Sequence, residues 1–336
     1  MPVLRRALGL PALTFFGVGQ ILGAGIYSIL GAAAGEAGEA LWLSFLVAAL
    51  VAFLTGLSYA ELATALPEAG AEFVYMREAL PGRPWASTAV GIVIIAAGIG
   101  TAAAVAIAFA GYLRSFTPVP AAVGAAALLA AATALNVAGI RESTWANIVF
   151  TVVETAGLVM VIAFGAGDPH FGEALLVRPH PGVLAGAALV FFAYLGFEDI
   201  ANLAEESARP ERDVPRAIVL SLAVTTLLYI LVGLAAVALI APEELEASAS
   251  PLATAVGPGR PVAARALGAV ALFATANTAL ITLIVTSRMM FGMARAGALP
   301  PALSRLTRRG TPWPAAFVAL AGSLLLLPFG RVAFVG

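Results

Sequence analysis

Long uncharged stretches alternate along this chain with short segments rich in proline, glycine and charge. The hydrocarbon core of a bilayer is about 30 Å thick and is crossed by about 20 residues of helix. Counting uncharged stretches of that length predicts nine helical spans, at 13–34, 41–62, 87–113, 121–140, 146–166, 183–203, 216–240, 264–292 and 314–330. The segments between them have the composition of turns at a membrane surface.

Composition sharpens this into an all-α integral membrane protein. Of 336 residues, 61% are hydrophobic and 11% charged, against about 45–50% and about 25% in a soluble domain. Arg5 and Arg6 precede an apolar stretch, as in a signal peptide. That stretch runs uncharged from Ala7 to Gly35, too long for an h-region of about 7–15 residues, and reads as the first span. Cysteine is absent, and the two histidines, His170 and His180, sit beside prolines in one polar loop outside any metal-binding pattern. No cofactor, metal, enzymatic chemistry or nucleic-acid partner is expected; the partners are the lipid bilayer and a small molecule.

The net charge of −1 conceals an asymmetry, because all 18 cationic residues are arginine. With the N-terminus inside, thirteen (Arg5, Arg6, Arg77, Arg83, Arg141, Arg209, Arg212, Arg216, Arg288, Arg295, Arg305, Arg308 and Arg309) fall at or near the cytoplasmic side. Arg114, Arg178, Arg260 and Arg265 fall outside, and Arg331 lies near the far end of the last span. The positive-inside rule therefore predicts a multi-pass protein of the cell membrane with a cytoplasmic N-terminus.

Two spans depart from the usual run of Ala, Leu, Val and Gly. The first places glycines at 17, 19, 23 and 25 in mid-membrane, each weakening a helix by about 1 kcal/mol relative to alanine. The sixth, Phe191 to Ile200, has Gly196 at its centre and Glu198 and Asp199 directly after. A helix broken at that depth is tolerated where its freed backbone lines a cavity or is buried in protein. Its amides then attract an anion and its carbonyls a cation, and an amino acid presents both. The breaks lie in the first and sixth spans, so the two broken helices run in opposite directions, as in an inverted repeat. Glycine content alone leaves close helix packing as an equal alternative.

Here the motifs become recognisable. Gly19-Gln-Ile-Leu-Gly-Ala-Gly-Ile-Tyr-Ser28 is similar to the first-helix signature of the amino acid/polyamine/organocation transporter superfamily. Ser58-Tyr-Ala-Glu-Leu62 with Pro67 to Tyr75 resembles its second helix and following segment, Phe192 to Glu198 with Glu205-Glu206 and Pro210 to Pro215 its sixth, and Ser287 to Pro300 the end of its eighth. The resemblance implies an inverted five-helix-repeat transporter fold, with residues 1–166 as the first repeat and 167–336 as the second, and transport of amino acids by alternating access. It also implies that amides around Gly23, Ala24, Gly25 and Ile26 hold a substrate carboxylate. Carbonyls of Phe192, Ala193 and Leu195, beside Tyr194 and Gly196, would hold its amino group. Tyr194, Phe197 and the third helix near 99–103 would form the pocket walls.

Coupling is read from one residue. Glu154 is the only charged residue inside the fifth span, on one helical face with Asn147, Thr151 and Leu158. Relatives carry a lysine at what resembles this position. Glu154 is either a proton carrier or gate facing the first helix, or a permanently protonated acid donating one interhelical hydrogen bond. The proton is the coupling ion expected ahead of sodium, because Leu280 and Ile281 occupy positions that resemble hydroxyl ligands of sodium-driven relatives. Glu198 is expected to bind substrate or gate the inner path, whereas Glu61, Glu205 and Glu206 read as solvated acids at the cytoplasmic rim. Superfamily members have ten core helices, so nine spans imply an incomplete second repeat. The missing helix keeps open a non-transporting fragment, and the acids Glu198 and Glu154 keep open a polyamine or organic-cation transporter of the same fold.

Overall fold

The computed structural model describes residues 4–248 and 250–331. Its helices begin where proline allows and end where glycine or a break demands. Pro84, Pro210 and Pro261 each open a helix at its first residue, where the missing N–H would have had no intrahelical partner. The helices are α1 (Leu10–Leu22), α2 (Ala24–Ala37), α3 (Leu41–Ala65), α4 (Ala71–Ala79), α5 (Pro84–Arg114), α6 (Ala121–Ala138) and α7 (Ile140–Ala166). They continue as α8 (Phe171–Ala174), α9 (Gly182–Tyr194), α10 (Pro210–Leu239), α11 (Pro242–Glu246), α12 (Pro251–Val256), α13 (Pro261–Arg295) and α14 (Trp313–Leu326).

Eight helical runs are long and apolar enough to cross a membrane. The first, Ala24–Ala65, contains α2 and α3 joined through a 3₁₀ turn at Gly38–Ala40. Divided there, with α1 joined to α2, the described residues trace nine crossings at the expected places. The helices reach further than the uncharged stretches: α10 starts at Pro210 rather than 216 and α13 ends at Arg295 rather than 292. Charges on the added turns find partners in the protein, Arg295 with Glu205 and Asp213 with Arg209, so charge marks the limit of the uncharged stretch and not the helix end. Residues 332–336, where a tenth helix would begin, lie outside the described residues.

Both expected breaks are present. Between α1 and α2, Gly23 adopts φ −37, ψ −150. After α9 the chain is extended at Leu195, Gly196 takes φ 121, and the span resumes as a 3₁₀ helix over Glu198–Glu206. The two halves are interleaved: α3 packs along α10, α5 along α13, and α2 along α9.

The segment from Leu4 to Leu8 lies across one end of the bundle. Ala7 and Leu8 donate their N–H groups to the Glu206 carbonyl, and Ala208 donates to the Leu8 carbonyl. Glu205 and Glu206 are 8% and 1% exposed, which corrects their reading as solvated rim acids. Arg295 makes two hydrogen bonds to Glu205, at 2.6 and 2.8 Å, and Glu205 also accepts the Leu4 and Ala69 N–H groups. Arg288 grips Glu206 through Nε at 3.1 Å and Nη2 at 3.2 Å and donates from Nη1 to Asn136. Adjacent acids on the 3₁₀ turn thus point to different arginines of α13, an arrangement that the charge pattern alone does not disclose.

Candidate functional site

The two breaks face each other across a cavity of about 290 Å³. Its walls include Gln20, Ile21, Ala24 and Gly25 from the first span, Phe192, Ala193, Leu195, Gly196, Glu198 and Asp199 from the sixth, and Thr278, Thr282 and Thr286 from α13. Val285 of α13, Glu72 of α4 and Ile94, Ala97, Gly98, Thr101 and Val105 of α5 complete it. A larger cavity of about 540 Å³, among Tyr27, Tyr112, Phe116 and Arg265, touches neither break and shares no lining residue with the first. The smaller cavity has the chemistry, because unsatisfied backbone at membrane depth belongs where a ligand or protein covers it.

At the first break, the N-terminal amides of α2 lack intrahelical acceptors. Ala24 N–H meets Thr278 Oγ1 at 3.4 Å, and Gly25 sits so close to the other break that a Cβ on it would lie 3.1 Å from the Ala193 Cα. At the second break, Gly196 N–H donates to Glu198 Oε2 at 2.8 Å, and the Phe192 carbonyl accepts the Leu195 N–H. Gln20 crosses between the breaks, donating from Nε2 to Asp199 Oδ2 at 2.7 Å. That bond orients the amide, so Gln20 Oε1 is left buried and without a donor among the described residues. Gly196 needs to be glycine twice over, for its positive φ and because a Cβ there would overlap the Gln20 side chain.

Of the residues singled out from the sequence, Ala24, Gly25, Phe192, Ala193, Leu195, Gly196 and Glu198 line this cavity, and Gly23 and Ile26 flank it in the chain. Tyr194 and Phe197 are a correction: neither forms a pocket wall. Tyr194 is fully buried, donates its hydroxyl to the Phe45 carbonyl at 3.1 Å and stacks edge-on against Tyr229, while Phe197 packs edge-on against Tyr59. The turn at Leu195 and Gly196 rotates the chain, so an unbroken helical wheel misplaces both rings. The α5 wall also begins earlier than expected, because Ile99 is turned toward α14, whose Ser323 hydroxyl donates to the Ile99 carbonyl.

Glu154 lies off the cavity. It is fully buried on α7, and neither of its carboxyl oxygens has a hydrogen-bond partner among the described residues. Its helical face carries the expected polar stripe: Asn147 Nδ2 donates to Asn277 Oδ1 at 3.0 Å, and Asn277 Nδ2 donates to Thr151 Oγ1 at 3.1 Å. Gly19 of α1 packs against this stripe, where a Cβ would overlap Thr151.

Sequence reasoning passed over Tyr229 of α10. Its buried hydroxyl lies within hydrogen-bonding distance of both the Ile21 carbonyl before the first break and the Ala193 carbonyl at the second. A lone tyrosine in the aliphatic run from Leu227 to Val232 was the available signal. Tyr229→Phe is expected to leave two buried carbonyls without that donor and lower stability by about 1–3 kcal/mol. Thermal unfolding of detergent-purified protein measures this; an unchanged midpoint would mean that the hydroxyl does not hold the breaks together.

Fold and site together define a multi-pass membrane protein whose inverted repeats bring two broken helices to one cavity. Residues 8–335 match the family model described as amino acid permease, and the chain belongs to that family. An uncharacterized transporter of Mycobacterium tuberculosis is 38% identical over 257 residues, covering 75% of this chain and 57% of its own. The branched-chain amino acid permease BcaP of Bacillus subtilis is 31% identical over 354 residues, covering 96% and 76%. Human cationic amino acid transporter 4 is 35% identical over 259 residues, covering 68% and 40%. The chain therefore spans little more than half the length of the mycobacterial relatives it matches. Among solved structures, that of MhsT in complex with L-phenylalanine superposes with a TM-score of 0.70 at 18% identity, covering 99% of this chain and 82% of that one. A Na+-coupled sialic acid symporter superposes with a TM-score of 0.68 at 12% identity, covering 98% and 75%. Both likenesses concern the fold.

Proposed function

We propose that this protein carries amino acids across the cell membrane by alternating access. The observation that carries the reading is the pairing of the α2 amide end with the α9 carbonyl end across one cavity of about 290 Å³. An α-carboxylate fits the positive end of the α2 dipole at Gly23, Ala24, Gly25 and Ile26, and an α-ammonium fits the carbonyls of Phe192, Ala193 and Leu195. Both contacts use backbone, so they select the amino acid headgroup and leave side-chain choice to the cavity walls. Relatives named as branched-chain and cationic amino acid transporters support the same substrate class. The halves 1–166 and 167–336 act as inverted repeats, with the N-terminus, α4 and the arginine-rich loops on the cytoplasmic side. Uptake of a radiolabelled amino acid panel into proteoliposomes, with and without an inward proton gradient, tests the reading, and polyamines in the panel test the organic-cation alternative. Absence of both binding and uptake would overturn it.

Coupling is assigned to Glu154. A fully buried carboxyl with two unpartnered oxygens, beside the polar stripe against α1, takes up and releases a proton as the first span moves. Sodium is the weaker candidate, since Leu280 and Ile281 on α13 are buried apolar side chains. Glu154→Gln is expected to abolish the stimulation of uptake by an inward proton gradient while preserving substrate binding. Full retention of pH-dependent uptake would return Glu154 to a structural role.

A further inference from the structure

Three carboxyl groups line the central cavity: Glu72 from α4, and Glu198 and Asp199 from the sixth span. No arginine, lysine or histidine is among the lining residues. Glu198 accepts one N–H from Gly196, Asp199 accepts one from Gln20, and Glu72 Oε2 accepts one from Asn202 Nδ2 at 3.2 Å. Each group found above to face the carboxyl set is therefore a neutral donor. Gln20 Oε1, on the amide that donates to Asp199, is a buried acceptor with no donor among the described residues, which a cationic N–H would satisfy. Full ionisation of three such groups around about 290 Å³ is opposed by mutual repulsion, so either a proton or a bound cation offsets the charge.

Glu72 is the member placed to respond. It lies at the N-terminal turn of α4, outside the membrane-spanning helices, and Asn202 joins that turn to the 3₁₀ half of the sixth span by accepting the Ala71 N–H at 3.0 Å. The groups facing it are Glu198 and Asp199 from the sixth span, Tyr59 from α3, and Tyr75 on its own helix. Neighbouring cations are engaged elsewhere: Arg77 pairs with Glu68 and Arg288 with Glu206. We infer that Glu72 carries a proton that a positively charged substrate group entering the cavity displaces. This rests on the amino acid reading above and assigns the cavity a preference for cationic side chains.

The sign follows from linkage. Burial pushes the Glu72 carboxyl up to about 7, against the opposing hydrogen bonds of its own N–H and of Asn202. A cation within about 4–6 Å favours the ionised form and lowers that value by about 1–3 units. Cation binding therefore releases a proton near pH 7, and reciprocally a cation binds more tightly as pH rises through about 7.

The test measures equilibrium binding of L-arginine and L-leucine to the purified full chain at pH 6 and pH 8, a range in which arginine keeps its side-chain charge. The expected result is an L-arginine affinity about fivefold tighter at pH 8, as a downward shift of about one unit from about 7 gives over that range, with L-leucine changing less than about twofold. His170 and His180 lie off the cavity lining, so any effect of theirs would enter both ligands equally. Glu72→Asp is expected to keep the arginine dependence and Glu72→Gln to flatten it. Calorimetry of the unaltered protein in buffers of different ionisation enthalpy gives an independent reading, with proton release on arginine binding at pH 7. Binding of both amino acids with the same pH-independent affinity would overturn this inference alone. Binding of neither would overturn the amino acid reading together with it.

Discussion

Arg288→Ala is expected to destabilise the protein by about 3–5 kcal/mol. Arg288 and Glu206 are 0% and 1% exposed, and the guanidinium also donates to Asn136 and to Ser287. Truncation leaves the Glu206 carboxylate buried without its counter-charge. The backbone carbonyl of the same residue anchors the N-terminal segment through Ala7 and Leu8, so the loss propagates to the end of the bundle. The compensated double variant, Arg288→Met with Glu206→Leu, removes both charges and is expected to recover most of the stability. Denaturation of the detergent-solubilised protein measures both. A single variant within about 1 kcal/mol of the parent would show that the pair is not held as tightly as its geometry indicates.

Gly25→Val is expected to weaken amino acid binding at least tenfold. At Gly25 the obstacle is backbone: an added Cβ meets the Ala193 Cα at 3.1 Å and the Ala193 Cβ at 3.4 Å. Neither is the far end of a flexible chain, and valine adds two methyl groups beyond that Cβ. Overpacking of this kind costs about 1–3 kcal/mol, and here it separates the two helix ends that are proposed to grip the substrate. Gly9→Ala is the matched control, because its Cβ would meet only Pro11, at 3.8 Å. Scintillation proximity binding with radiolabelled leucine or arginine distinguishes the two. Undiminished affinity in Gly25→Val would place the binding site away from the breaks.

How far the site was legible depends on whether its chemistry lay in the backbone or in tertiary contacts. The breaks at Gly23 and Gly196 were readable because glycine in mid-membrane weakens a helix and acids follow directly on the second. Ala24, Gly25, Phe192, Ala193, Leu195 and Gly196 follow from position in the chain, since helix termini expose particular amides and carbonyls whatever the side chains are. Tyr194 and Phe197 were misplaced because side-chain direction through an extended Leu195 and a left-handed Gly196 does not follow helical periodicity. Glu72 reaches the cavity from α4 and Gln20 reaches from the first span to Asp199 at the second break, pairings that no local pattern marks, and for Tyr229 the one local signal is its isolation in an aliphatic run.

By itself the sequence determined the nine crossings, the two breaks and the motifs shared with the permease family, because bilayer thickness and helix rise convert apolar length directly into spans. The tertiary structure decided which acids face a cavity, which are gripped by arginine and which stand unpartnered. Glu72, Glu206 and Glu154 are the same residue type, and only packing separates a cavity wall, a buried ion pair and a carboxyl whose oxygens are unpartnered among the described residues. The cause is that the ionisation and bonding of a carboxyl depend on the neighbours within a few ångströms, and in this fold those neighbours come from spans far apart in the chain.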